Sequence, residues 1–255
     1  AGGGGDNAAA ACGIGAVTDN SALVSIGTSG VLFVSNDRFR PNAGRMVHAF
    51  CHAVPDTWHQ MGVILSAAAS LEWLAGILGS PAPKLIGGLG KTLAGPSPAL
   101  FLPYLSGERT PVGDAQVRGL IMGLGHETDH RMLTHAALDA VAFAFRDSLE
   151  ALKDAGTKVK RVTAVGGGSR SDLWLQIIAT VLGAPVDLPA AGDVGGAFGA
   201  ARLGFIAATG ADFRKVLTAP KTARTIKPNL KAREAYEAQY RRYTQIYPAI
   251  KEIYR

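Results

Sequence analysis

Cysteine is almost missing from this sequence: Cys12 and Cys51 are the only two in 255 residues. That is too few for a disulfide framework, and the default reading is a reducing cytoplasm. Aromatic side chains are also scarce at 7%, and charged ones make up only 18%, so the 47% hydrophobic fraction is mainly aliphatic. Such a composition excludes disorder and fits a soluble globular chain. No apolar run reaches the roughly 20 residues needed to span a bilayer. The richest stretch, 173–186, is interrupted by Gln176. The sequence does not open with a basic segment followed by an apolar one, which argues against secretion. Acidic residues become rare towards the end: residues 214–255 hold eleven Lys and Arg against three Asp and Glu, so the net charge of +6 lives in this tail. No nucleic-acid motif accompanies that charge, so a nucleic-acid partner is not expected. The tail reads as a terminal helix with Lys231, Arg233, Arg241, Arg242 and Lys251 in solvent and Tyr236, Tyr240, Tyr243, Tyr247 and Tyr254 on its docking side.

Glycine, by contrast, is abundant, with 32 residues that cluster at 2–5 and 166–168. Clusters of this kind let a backbone approach a ligand closely. The first feeds a short Ala-rich helix. Two β-rich runs, 22–26 and 31–35, flank Gly-Thr-Ser-Gly and predict a hairpin with a four-residue turn. Further strands are expected at 46–50 and near Trp58. Helical spacing begins at Ser66 and ends at Gly79, and the Pro and Gly residues of 81–98 mark a loop. A long helix is predicted over 129–155, followed by a βαβ-like unit: strand 162–165, three glycines, helix 172–182 and strand 185–188. A second Gly-rich turn and helix occupy 195–208. Hairpins early and alternating β and α late imply an α/β fold, a mixed sheet with helices packed on it, in one domain over 1–255.

Three Gly-rich places carry candidate chemistry. Asp6 follows four glycines, where a carboxylate either accepts a hydroxyl proton as general base or, with Asn7, caps the helix. Ser25-Ile26-Gly27-Thr28-Ser29-Gly30 either offers N–H groups and the Thr28 hydroxyl to phosphate or is an ordinary hairpin turn. Gly166-Gly167-Gly168-Ser169-Arg170-Ser171-Asp172 runs from strand to helix, whose N-terminus favours anions; close packing is the other reading. Ser171 stands where a dinucleotide fingerprint needs glycine.

Other motifs are decoys by context. The segment 87–92 contains Gly-Lys-Thr, but Leu85 stands where a P-loop requires Gly. His126-Glu127-Thr128-Asp129-His130 matches the zinc-peptidase signature H-E-x-x-H and keeps a zinc hydrolase as the rival from another class. However, Thr128 or Asp129 looks like a helix N-cap, so the two histidines would straddle a helix start. His48, Cys51, His52 and His59 alternate across strands and read as ordinary strand residues.

In order along the chain, Gly-Gly-Gly-Asp-Asn, Ser-Ile-Gly-Thr-Ser-Gly and Gly-Gly-Gly-Ser-Arg-Ser-Asp resemble the FGGY carbohydrate kinases. The segment from Leu102 through Gly107-Glu108-Arg109-Thr110-Pro111 to Arg118-Gly119 resembles the xylulokinase branch, as does Trp58-His59-Gln60-Met61-Gly62. The resemblance implies a ribonuclease H-like, actin-like ATPase domain, here the C-terminal nucleotide-binding half. It implies ATP and Mg2+ as cofactors and D-xylulose, or another sugar or polyol, as substrate. By the same resemblance Asp6 is the catalytic base, with Asn7 beside it at the sugar. Gly27 and Thr28 meet the β- and γ-phosphates, Gly107 approaches the nucleotide, and Gly166, Gly167, Gly168 and Ser171 border the adenosine. Family members are about twice as long. The N-terminal sugar-binding domain would then be a missing partner, and the chain is expected to be inactive without it. A homodimer is left open, and no membrane partner is expected.

Overall fold

A computed structural model describes residues 4–190 and 195–254. Gly2 and Gly3 of the opening glycine cluster lie outside the described residues. The first half of the chain forms α1 (Asp6–Ile14), β1 (Ala22–Ile26), β2 (Gly30–Asn36), β3 (His48–Cys51), β4 (Trp58–Ile64), α2 (Ala68–Ile77) and α3 (Ala82–Gly88). Then come β5 (Leu100–Leu102), β6 (Leu120–Met122), α4 (His130–Asp154), β7 (Val162–Val165), α5 (Asp172–Leu182) and β8 (Val186–Pro189). The last elements are α6 (Gly196–Thr209), α7 (Phe213–Val216), β9 (Thr222–Ile226), α8 (Arg233–Tyr243) and α9 (Ile246–Ile250).

Among the described residues, seven strands form one sheet in the order β3-β4-β2-β1-β7-β8-β9, and β5 and β6 pair separately. β1, β7 and β8 run parallel, while the hairpin strands and the β8–β9 pair are antiparallel, so the sheet is mixed. The alternation of side chains along β1 and β2 builds two cores. Val24, Ile26, Leu32 and Val34 face α2, α4 and α5 in the larger one. Leu23, Val31 and Phe33 face the opposite side, against Ala11 and Ile14 of α1.

The hairpin is tighter than the four-residue turn expected, because Ile26 pairs directly with Gly30 and leaves only 27–29 to turn. The region 81–98, expected as loop, contains α3. Pro81 sits at its N-cap and Pro83 in its first turn, where a missing N–H costs nothing, so prolines that read as breakers mark a helix start instead. β9 escaped the sequence reading because it is an edge strand exposed over most of its length, with no buried face to give it a period. α4 begins where Asp129 accepts a hydrogen bond from the Met132 N–H at 2.8 Å. The terminal helix packs on its own domain: Tyr236 and Tyr243 are buried in the larger core, while Arg233, Arg241 and Arg242 stay in solvent. No helix among the described residues is long and apolar enough to cross a membrane.

Candidate active site

A cleft of about 780 Å³ opens at the carboxyl ends of β1 and β7. Ligands gather at this edge in open α/β sheets because the strand-to-helix loops converge there. Its floor is Ile26, Gly27 and Thr28 on one side and Gly167, Gly168, Arg170 and Ser171 on the other. Leu71, Ala82, Pro83, Ile86 and Trp174 supply an apolar wall, with Glu72 at its edge.

The two glycine turns are held together by the lack of side chains. Gly166 takes φ +87°, and a Cβ there would lie 2.9 Å from the Ile26 carbonyl oxygen. A Cβ on Gly168 would meet Ile26 Cγ2 at 2.2 Å and the Trp174 ring at 3.0 Å, whereas one on Gly167 would meet nothing within 4 Å. Gly166 and Gly168 therefore let the second turn close on the end of β1, and Gly167 faces open space. Ser171 is the N-cap of α5, its Oγ accepting from the Trp174 N–H at 3.2 Å. The dipole of α5 then favours an anion at its start. On the other side, the Gly27 carbonyl accepts from Ala68 N–H at 2.9 Å, and the Thr28 carbonyl accepts from Ala67 at 2.9 Å and Ala69 at 3.2 Å. These bonds fix the hairpin turn against the first turn of α2.

Asp6 and Gly107 lie outside the lining of this cleft. Asp6 is the first residue of α1, Gly5 is the N-cap, and no side chain caps the helix. The Asp6 Oδ1 accepts from the Asn7 N–H at 2.8 Å and from Asn7 Nδ2 at 3.0 Å, with the carboxylate exposed. α1 packs on the opposite side of the sheet from the cleft, so Asp6 stands around the end of β1 from the glycine turns. Gly107 is buried at φ +77°, and a Cβ there would strike Asp114 O at 2.7 Å, so this glycine serves a tight loop.

Its neighbour Glu108 was not singled out from the sequence. The Glu108 Oε1 accepts from Leu65 N–H at 2.9 Å and Arg109 N–H at 2.7 Å, tying the loop to the segment between β4 and α2. Burial pushes its carboxyl up to about 8. Through that segment Glu108 is tied to the start of α2, where the Ala67 and Ala69 N–H groups hold the Thr28 carbonyl. The cleft residues Leu71, Glu72, Ala82, Pro83 and Ile86 were also missed, since an apolar wall looks in sequence like any amphipathic helix.

The zinc reading fails on geometry. His126 and Glu127 precede α4 and His130 opens it, so the histidines do not share a helix face. Among the described residues no three His, Cys, Asp or Glu stand together as a metal site. His52 and His59 are buried around the Phe33 ring, with His59 stacked on it at 4.7 Å, and burial pushes both imidazoles down to about 4. The Gly-Lys-Thr of 90–92 follows α3 instead of joining a strand to a helix.

A mixed sheet with helices on both faces and a cleft at the ends of its parallel strands is the architecture of the actin-like ATPase class. Residues 22–208 match the FGGY family of carbohydrate kinases, C-terminal domain, and the chain belongs to that family. It is 45% identical over 207 residues to the xylulose kinase of Escherichia coli K12, covering 81% of this chain and 43% of that protein. Superposed on the crystal structure of a xyloylose kinase from Brucella ovis, it gives a TM-score of 0.96 at 57% identity, covering 99% of this chain and 53% of that one. The xylulose kinase of Rhodospirillum rubrum gives 0.85 at 28% identity, covering 98% and 51%. The chain thus spans about half the length of the relatives it matches.

Proposed function

We propose that this chain is the nucleotide-binding half of a cytoplasmic kinase that transfers the γ-phosphate of ATP to a hydroxyl of D-xylulose. The observation that carries this is the cleft between Gly27-Thr28 and Gly167-Gly168-Ser171, with its apolar wall on one side and its helix N-terminus on the other. A purine fits between Gly167 and the wall, its phosphates running toward the Gly27-Thr28 turn. Open space at Gly167, and at Gly87 across the cleft, is what a flat ligand requires. Gly166 supports this arrangement from behind, and Gly107 shapes the loop that carries Glu108.

Asp6 is the base. Its carboxylate takes the proton of the sugar hydroxyl as that oxygen bonds to the γ-phosphorus, and the bond between that phosphorus and the bridging oxygen breaks to release ADP. Asn7 holds Asp6 Oδ1 by two hydrogen bonds and leaves the carboxylate oriented outward. Magnesium, when bound with ATP, neutralises charge on the phosphate oxygens, and Mg2+ typically keeps several waters and takes only one or two protein carboxylates. The exposed carboxylate of Asp6 would be available to such an ion. An N-terminal half would supply most of the sugar pocket.

The test joins the N-terminal half of the Brucella ovis relative ahead of this chain and measures D-xylulose phosphorylation in a coupled assay. Asp6→Asn should lower kcat about 100- to 10,000-fold and leave the ATP dissociation constant unchanged. Undiminished turnover would remove Asp6 from the chemistry, and failure of the joined protein to bind Mg-ATP would remove the kinase reading.

A further inference from the structure

A second cavity, of about 430 Å³, lies between the C-terminal half of α4 and the helices α8 and α9, and it shares no lining residue with the cleft at the glycine turns. That volume suits a small organic molecule. Residues three and four apart share a helix face, so α4 turns Asp147, Glu150 and Asp154 toward this space together. Two of these carboxylates are already paired: Glu150 meets Arg146 and Lys153, and Asp154 meets Arg45. Asp147 is not. It is 7% exposed, its Oδ1 accepts from the Tyr240 hydroxyl at 2.6 Å, and among the described residues no Lys, Arg or His forms an ion pair with it. Its Oδ2 has no hydrogen bond and is not sealed off from the cavity. Burial pushes the carboxyl up to about 6, so at pH 8 it is a buried anion without a counter-ion. The hydroxyl of Tyr243, a lining residue 1% exposed, also lacks a hydrogen-bond partner. Buried polar groups left in this state are costly, and a ligand that satisfies them gains what the fold has left unmet.

The rest of the lining selects the kind of cation. The rings of Tyr104 and Tyr247, their centroids 6.1 Å apart and their planes tilted by 60°, border the space with Leu102, Val112 and Pro248. Ring faces attract an ammonium group within about 6 Å, and the aliphatic side chains suit a carbon stem. A bare metal ion would need several oxygen ligands, and among the described residues no three His, Cys, Asp or Glu stand together to supply them. We propose that this cavity binds a primary alkylammonium ion, which donates an N–H to Asp147 Oδ2 and lays its apolar stem against Tyr104, Tyr247 and Val112. Arg45, paired with Asp154 in the same lining, opposes such a cation electrostatically. The site does not depend on the kinase reading, because none of its residues belongs to the proposed ATP cleft.

The test is calorimetry on the full chain at pH 8 with pentylamine, which is protonated there as a lysine side chain is. One saturable site is expected, and absence of saturable binding below about 10 mM overturns the proposal. Pentanol has the same stem without the charge and should bind at least about tenfold more weakly, since a hydrogen bond to a charged group is worth at least that factor. Equal binding of pentanol would show a merely apolar cavity and overturn the proposal. Ammonium chloride supplies the cation without the stem, and binding as tight as that of pentylamine would overturn the alkyl part of the assignment. Asp147→Asn keeps an acceptor for the Tyr240 hydroxyl and removes the charge, so the variant should fold and lose pentylamine affinity at least about tenfold. Thr244→Arg, at an exposed position of the lining, brings in a rival cation and should also weaken binding while melting like the native chain. Arg45→Ala withdraws the opposing cation and should tighten binding, which a structural role for the pocket would not produce. Native affinity in both Asp147→Asn and Thr244→Arg would place the amine elsewhere and overturn the proposal.

Discussion

Replacing Gly199 by Ala tests the helix pair that carries Asp6. The added Cβ would lie 1.6 Å from the Ala9 carbonyl oxygen, 2.6 Å from its carbon and 2.9 Å from the Gly13 nitrogen. All three are backbone atoms of α1, so no side chain can swing away. A carbon and an oxygen rest at roughly 3.2 to 3.5 Å, so α1 and α6 must part by about 1.5 Å along this line. Overpacking of this kind costs about 1–3 kcal/mol, partly offset by the higher helix propensity of Ala, about 1 kcal/mol. Separation also stretches the Arg202 bonds to the end of α1, which adds to the cost. The net should appear as a fall in melting temperature of about 2–8 °C, at roughly 2–4 °C per kcal/mol for a chain near this size. Gly204→Ala is the control, because nothing lies within 4 Å of its added Cβ. In the isolated chain it should raise the melting temperature by a few degrees, since it gains propensity without a clash. Circular dichroism melts of both variants suffice. Because the cleft proposed for ATP lies on the other side of the sheet, Gly199→Ala should leave ATP affinity unchanged, while in the joined protein a 1 Å displacement of Asp6 should cut turnover about 100-fold. A Gly199→Ala chain as stable as the native one would refute the close packing from which all of this follows.

Gly168→Ala should lower both stability and ATP affinity, because its methyl would overlap buried Ile26 and press on Trp174; Gly167→Ala should melt like the native chain and lose only ATP affinity. Melts and calorimetry separate the two, and equal melting temperatures for both variants would contradict the geometry. Burial pushes the Asp139 carboxyl from 3.8 up to about 7, although Ser97 N–H and the Tyr236 hydroxyl donate to it. The folded chain therefore binds more protons than the unfolded one between about pH 4 and 7, and stability must fall as pH rises through that window, by about 4 kcal/mol from this group. Asp139→Asn should flatten the dependence of the urea midpoint on pH between 5 and 7, and an unchanged slope would rule the group out. His52 and His59, held neutral by burial, act in the opposite sense: stability is lost as pH falls from 6.5 toward 4. His59→Phe should reduce that acid-side loss in the same urea series.

Much of this fold was legible because its elements obey strong local rules. Asp129 and Gly156 bracket α4, and the run from Val162 through three glycines to Asp172 is a strand, a turn and a helix. The places where the reading slipped have physical causes. Pro81 and Pro83 signal a break to any local rule, yet a helix start tolerates them. β9 has no buried face, and a strand of mostly exposed residues shows no alternation. The candidate site was half legible. Glycines at 27 and 166–168 announced the turns, and the structure brings Gly27, Thr28, Gly167, Gly168 and Ser171 to one cleft. Leu71, Pro83 and Ile86 announced nothing, because what makes them a wall is the placement of α2 and α3 over the sheet. Glu108 was hidden for a related reason: its burial depends on the meeting of two loops.

The parallel pairing of β1 with β7 has a consequence for how the molecule is made. Ser25 lies beside Val165 in the sheet although 140 positions separate them along the chain. Neither bank of the cleft exists as a binding surface until that pairing closes. Contacts so distant in sequence are slow to form, because the intervening chain must first surrender its freedom. The hairpin of β1 and β2, whose strands are adjacent in sequence, can assemble early and wait. Closure of the cleft is then a late event in folding, reached only when the second glycine turn is synthesised and docked. During synthesis, a nascent chain that has not yet reached Ser171 would carry the hairpin turn without its opposite bank.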